Sequence, residues 1–214
     1  MNPSECQEFI QLIRKSLKNS ISNSFDLICS KSDALSYVVA GTSSALNRFQ
    51  NSEKVNVIQW FDHFWLFLKI TFMKEEQNVS KQNEFRINTI SLSVFQGKDA
   101  DEDKYQLFRA EWDDYNKPDE KHAQPHWHIT SSQAIEKTLV KCTENFDEDD
   151  FGQQFFLQTL EDEKQKVFDV KKIHFAMNAD WQSNESHVHK TEKPQQIVNW
   201  LQGMLYYLRE ELTN

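Results

Sequence analysis

Residues 105–132, YQLFRAEWDDYNKPDEKHAQPHWHITSS, carry the pattern that decides the fold. Tyr105–Trp112 alternates as a β-strand, Asn116–Glu120 with Pro118 reads as a turn, and Gln124-Pro125 leads back into His126-Trp127-His128-Ile129, which alternates again. The stretch therefore reads as one β-hairpin. Strand side chains point to opposite faces with a period of two, so His126 and His128 share one face and Trp127 and Ile129 the other. Two imidazoles about 7 Å apart along a strand can converge on one metal ion or one anion. Three of the seven histidines, His122, His126 and His128, fall within seven residues.

Upstream of the hairpin the same period of two recurs. Leu66, Leu68, Ile70 and Phe72 line one face of a strand candidate that begins helix-like at Trp60, and Ile90, Leu92 and Val94 alternate with Ser91, Ser93 and Phe95. Polar loops at 74–83 and 98–104 separate these runs. Four strand candidates in succession imply an antiparallel meander with one wet face. Lys171–Met177 adds a fifth. Between Ser20 and Asn51 only Phe25–Cys29 and Leu35–Ala40 stand out as short apolar runs among Ser and Asn breakers.

Helical spacing marks the two ends. Phe9, Ile10, Ile13 and Leu17 make a stripe over residues 4–18, with Ser4 placed to cap it. Ile197, Trp200, Leu201, Met204, Leu205, Leu208 and Leu212 make a second over Pro194–Leu212, and Tyr206 and Tyr207 widen it sideways. Shorter helices fit residues 133–142 and the segment after the acidic run Glu144–Asp150. No repeat, linker or low-complexity tract divides residues 1–214. The expected architecture is a single α+β domain: a meander of about four to five strands, with N-terminal and C-terminal amphipathic helices packed on one face.

Composition narrows the function classes. Hydrophobic content is 38%, yet 16 Phe, 6 Trp and 5 Tyr supply the bulk of a core, since each large aromatic buries roughly 150–250 Å². With only 4 Gly, no GxGxxG, GxxxxGK[ST] or GxSxG motif occurs, which removes Gly-rich nucleotide loops and the serine-hydrolase elbow. Net charge is −9 and only 5 of 24 basic residues are Arg, the opposite of what phosphate-backbone and base contacts require, so nucleic acid and anionic membranes are disfavoured partners. Cys6, Cys29 and Cys142 are odd in number and far apart, which suits a reducing cytoplasm. The opening MNPSECQEF has neither the basic nor the apolar region of a secretory signal. Many Lys, Asn, Ile and Phe codons are AT-rich, which points to a bacterial source.

Two chemistries compete for the histidines. In the first, His126 and His128 bind a divalent metal such as zinc, with a third ligand from Glu111 or Asp113 on the paired strand, from His174, or from the pair His187 and His189. The cupin pattern would want Glu three or four residues after the second histidine, and Ser131 and Ser132 stand there. In the second, histidine acts on phosphate. Gln124-Pro125-His126-Trp127-His128-Ile129-Thr130 resembles the histidine-triad nucleotide hydrolases, a resemblance that implies His128 as nucleophile and puts Thr130 where the third histidine would stand. His128-Ile129-Thr130-Ser131 is also similar to one half of the paired His-x-Thr motif of the two-histidine phosphoesterases. The other half would fall on His174-Phe175-Ala176-Met177, where Ala176 lacks the hydroxyl.

The plain alternative leaves both histidines on a solvent face, or hydrogen-bonded to Glu111 and Asp113, with Trp112, Trp127 and Trp181 as core anchors. With no complete catalytic motif and no cofactor loop, the first functional expectation is a non-catalytic, cytoplasmic subunit that binds other protein subunits of a multi-component assembly. Tyr206 and Tyr207 are its candidate contacts, since an exposed tyrosine is apolar along its body and polar at its tip. The second expectation is a hydrolase or phosphodiesterase, histidine- or metal-dependent, using His126, His128, Thr130 and Glu111, with His174 as a further ligand.

Overall fold

The computed structural model describes residues 1–30, 35–49, 51–74, 84–102, 104–113, 124–129 and 193–213. Helix α1 (Pro3–Leu17) is capped by Asn2 and not by Ser4. The Asn2 side chain accepts from the Glu5 N–H at 3.0 Å while the Glu5 carboxylate accepts from the Asn2 N–H at 2.7 Å, a reciprocal box that satisfies two otherwise orphaned donors. Eight strands follow: β1 (Leu27–Cys29), β2 (Ser36–Val39), β3 (Ser43–Phe49), β4 (Asn51–Phe61), β5 (Phe64–Lys74), β6 (Phe85–Gln96), β7 (Tyr105–Asp113) and β8 (His126–Ile129). Helix α2 (Pro194–Thr213) closes the described chain. The expected helices at 133–142 and after Asp150, the strand at 171–177, and Trp181 lie outside the described residues.

Among the described residues every strand pairing is antiparallel, in the order β1-β2-β5-β6-β7-β8. Strand β4 serves two partners, pairing with β3 through Val57 and with β5 from Ile58 onward. The expected meander of four to five strands is therefore corrected to an antiparallel sheet of eight strands among the described residues, still α+β. Two local features explain the difference. Strands β3 and β4 begin as SSALNRF and NSEKVNV, in which too few apolar residues alternate to reveal a strand. The apolar run from Trp60 is not helical; it is interrupted by a two-residue turn, Asp62-His63, between the paired Phe61 and Phe64. Asp62 stands at φ 44°, in the left-handed region that Asp tolerates better than most residues, so the turn has no Gly, Asn or Pro to announce it.

Register assigns the two faces of the sheet. The rows Leu66–Val94–Phe108, Leu68–Leu92–Ala110–Trp127 and Ile70–Ile90–Trp112 form one apolar face. Both helices sit on it: Phe9 of α1 meets Phe72 edge-on at 6.2 Å, Trp200 of α2 meets Trp112 at 5.4 Å, and the Gln202 amide donates to the Ser16 carbonyl between the helices. The opposite face carries the rows Phe67–Ser93–Arg109–His128 and Lys69–Ser91–Glu111–His126, then Thr71–Thr89–Asp113. Alternation leads one to expect this polar face to be wet. Much of it is not: Ser91, Ser93, Gln106, Arg109, Glu111 and Asp113 are buried, while Lys69, Thr71, Thr89 and His128 at its margins are half-buried.

Part of that burial comes from the β3–β4 hairpin, which folds over the start of β7. Gln106 accepts from the Arg48 N–H and donates to Asn47 and Ser93, and the Lys104 ammonium donates to Ser43 Oγ and to the carbonyls of Ser44, Asp99 and Asp101, with the Trp65 ring 4.6 Å away. Burial pushes the Lys104 ammonium below its ordinary pKa. No helix among the described residues is long and apolar enough to cross a membrane.

Two glycines make opposite predictions. A Cβ on Gly41, where the chain passes from β2 to β3, would stand 2.4 Å from the backbone nitrogen of Val57 and 2.6 Å from the carbonyl carbon of Asn56. One on Gly203, exposed in mid-α2, would meet nothing within 4 Å. Gly41→Ala is therefore expected to lose ~1–3 kcal/mol of unfolding free energy as β4 is pushed aside. Gly203→Ala should gain ~0.5–1 kcal/mol through helix propensity. Urea unfolding of the two variants reads both signs; equal effects would refute the close approach at Gly41.

Candidate metal centre

Strands β7 and β8 bring the sequence candidates together. Their register sets Glu111 opposite His126 and Arg109 opposite His128, so all four side chains leave the same face. Trp127 leaves the other, half-buried and edge-on to Phe108 at 5.7 Å. The His128 Nε2 lies 3.0 Å from Glu111 Oε2 and 2.8 Å from His126 Nε2, and His126 Nε2 lies 3.8 Å from the same carboxylate oxygen. Those separations put the three atoms on a circle of radius about 1.9 Å, so an ion ~2.0–2.1 Å from each fits about 0.7 Å off their plane. Glu111, His126 and His128 form the metal-capable cluster among the described residues.

Exposure grades across the cluster. The Glu111 side chain is 7% exposed, His126 13% and His128 41%, so the carboxylate is the floor and His128 the side open to solvent. Burial pushes the Glu111 carboxyl up to about 7; Arg109 opposes this, Asp113 adds to it, and hydrogen bonds from Ser91 and Arg109 oppose it again. Arg109 Nη2 contacts Glu111 Oε2 at 3.0 Å, yet its attraction does not outweigh the loss of water. A further positive charge beside this oxygen would favour its ionised form.

Around the cluster, the Gln124 side-chain oxygen accepts from the Asp113 N–H at 2.8 Å and lies 3.3 Å from His126 Nδ1. Asp113, the sequence's other acidic candidate, stands one register step beyond Glu111 on the same face, outside the cluster. Thr130, His122, His174, His187 and His189 lie outside the described residues. Tyr206 is 71% exposed, whereas Tyr207 is half-buried against the core. Sequence reasoning passed over Arg109, Ser91 and Gln124. Arg109 shares the alternation of Glu111 and was visible in it; Ser91 comes opposite Glu111 only through the register of β6 and β7, and Gln124 becomes informative only once its side chain is placed. Comparison of the chain with protein-family models, with curated proteins and with solved structures gives no match, so the site rests on its own geometry.

Proposed function

We propose that the protein binds one divalent metal ion of the zinc class through His126, His128 and Glu111 and uses it in hydrolysis, with phosphoesters as the substrate class. The observation that carries this reading is the convergence of two imidazole nitrogens and a buried carboxylate oxygen on a circle sized for such an ion. Three protein ligands and one open position are the arrangement of catalytic zinc sites, whereas structural sites close all four. When bound, such an ion acts as a Lewis acid that activates water and polarises the scissile ester. The chain's own groups hold the ion, keep Glu111 oriented through Arg109 and Ser91, and leave the His128 side open for substrate.

The test is elemental analysis of native protein, then hydrolysis of bis(p-nitrophenyl) phosphate before and after chelation. About one equivalent of zinc, manganese or iron and activity restored by the metal are the expected results. Well under one equivalent, with the same rate after chelation, would end this reading.

A second reading has its own observation. Tyr206 stands 71% exposed on α2, which fits a cytoplasmic subunit whose partners are other proteins and which needs no metal. Loss of partners in Tyr206→Ala, together with an unaltered pull-down for His126→Ala/His128→Ala, would favour it. Partners retained in Tyr206→Ala, with activity lost only in the histidine variant, would favour the metal centre.

A further inference from the structure

We infer that Gln124 is the positioning residue of the metal centre: it holds the proton of His126 on Nδ1 and so presents the Nε2 lone pair to the ion. The inference rests on the proposed metal reading for its purpose but on independent contacts for its geometry. Gln124 Oε1 receives the backbone N–H of Asp113 at 2.8 Å. That donor has a fixed hydrogen, so the atom facing it is the amide oxygen and not the amide nitrogen, and the orientation of the side chain is decided. An amide oxygen carries no proton. Its 3.3 Å contact with His126 Nδ1 is therefore a hydrogen bond only if Nδ1 carries the hydrogen. In a neutral imidazole the other nitrogen is then bare.

That other nitrogen is the one aimed at the cluster, 2.8 Å from His128 Nε2 and 3.8 Å from Glu111 Oε2. Without an ion, the His128 N–H fills the gap, its hydrogen shared between His126 Nε2 and the carboxylate. With an ion, the lone pair of His126 needs no rearrangement. The geometry is that of a ligating histidine whose second nitrogen donates to a fixed acceptor, which sets both ring orientation and tautomer. Gln124 is itself fixed, being 3% exposed and tied to the end of β7 through Asp113. One side chain thus couples the end of β7 to the ring of His126 on β8.

The experiment has two arms that fail separately. In the first, long-range nitrogen–proton NMR spectra of metal-free protein at pH 8 report which His126 nitrogen is protonated. The expected result is Nδ1–H in the native protein and a mixture of forms in Gln124→Leu. Native His126 protonated at Nε2 would overturn the inference, whether or not the protein binds zinc. In the second, zinc affinity is measured by competition with a chromophoric chelator. Gln124→Leu is expected to bind ~10–100-fold more weakly than native protein. Gln124→Glu, whose carboxylate also accepts both hydrogen bonds, should recover most of that loss. A folded Gln124→Leu within threefold of the native affinity would also overturn the inference. If Gln124→Leu fails to fold, the native spectrum and Gln124→Glu decide. Absence of zinc binding by native protein would sink the metal reading and leave the tautomer arm standing.

Discussion

Zinc at a hundredfold excess over its dissociation constant should raise the unfolding free energy of the native protein by about 2.7 kcal/mol, and His128→Ala should lose that increment entirely. The figure follows from mass action: an ion that binds the folded chain alone stabilises it by RT ln(1 + [L]/Kd). In a chain of 214 residues the same increment corresponds to roughly 5–10 °C in Tm. The three ligand positions should not respond identically. His126→Ala and His128→Ala each leave one imidazole and the carboxylate, too few for a site with an open position. Glu111→Gln keeps the shape but removes the charge, and it also relieves the burial of a carboxyl pushed up to about 7. Glu111→Gln should therefore gain nothing from zinc, and its metal-free stability should vary less with pH around 7 than that of the native protein. Differential scanning fluorimetry with and without zinc reads all three variants.

Thr130→Ala separates the two chemistries read from the histidines. A metal centre built on Glu111, His126 and His128 has no use for that hydroxyl, so zinc stabilisation should persist. Loss of hydrolysis in Thr130→Ala with zinc uptake intact would place the hydroxyl on the substrate, as the His-x-Thr resemblance implies. Falling pH should weaken zinc binding, because ligation needs a bare imidazole on both histidines and an ionised Glu111. With the carboxyl at about 7, that weakening should begin already near neutrality.

The site was legible in the sequence to the extent that β-structure is periodic. A period of two puts His126 and His128 on one face, and reading residues 105–132 as a hairpin brings Glu111 or Asp113 within their reach; the register of β7 and β8 then selects Glu111, opposite His126. Nothing in that reasoning tells whether the face is wet. Ser91, Ser93, Arg109 and Glu111 look from composition like a solvated face, and only the crossing of β3 over β7 and the burial values show otherwise. The same crossing was invisible because Ser43–Phe49 is held to β7 by Gln106 and Lys104, polar residues that sequence patterns assign to surfaces. Tertiary hydrogen bonds join the burial of Ala45, Val55 and Val57 in placing that hairpin, and only the latter has an apolar trace in the sequence.

Arg109→Met should cost the metal-free protein ~3–5 kcal/mol at pH 8.5 and markedly less at pH 5.5. Arg109 and Glu111 form a buried pair, with side chains 3% and 7% exposed and 3.0 Å between Nη2 and Oε2. Methionine fills similar volume but leaves Glu111 without its cation, with Asp113 beside it on the same face. The pH dependence follows from where Glu111 titrates. Its folded-state value near 7 lies above its ordinary 4.5, so the folded chain binds this proton more tightly than the unfolded chain does. The linked stability is fully present below the ordinary value and is lost as pH rises through about 7, on the order of 3 kcal/mol in all. Arg109 is the group that opposes the upward shift most, so its removal moves Glu111 higher still. At pH 5.5 the variant then holds a neutral acid that needs no cation; at pH 8.5 it must either ionise a buried carboxyl or pay to keep it protonated. Urea unfolding at the two pH values measures the difference. The double variant Arg109→Met/Glu111→Gln should recover most of the loss at pH 8.5 and flatten the pH dependence. An Arg109→Met penalty that is the same at both pH values, or that persists in the double variant, would mean that Arg109 stabilises the sheet through other contacts and not through the charge on Glu111.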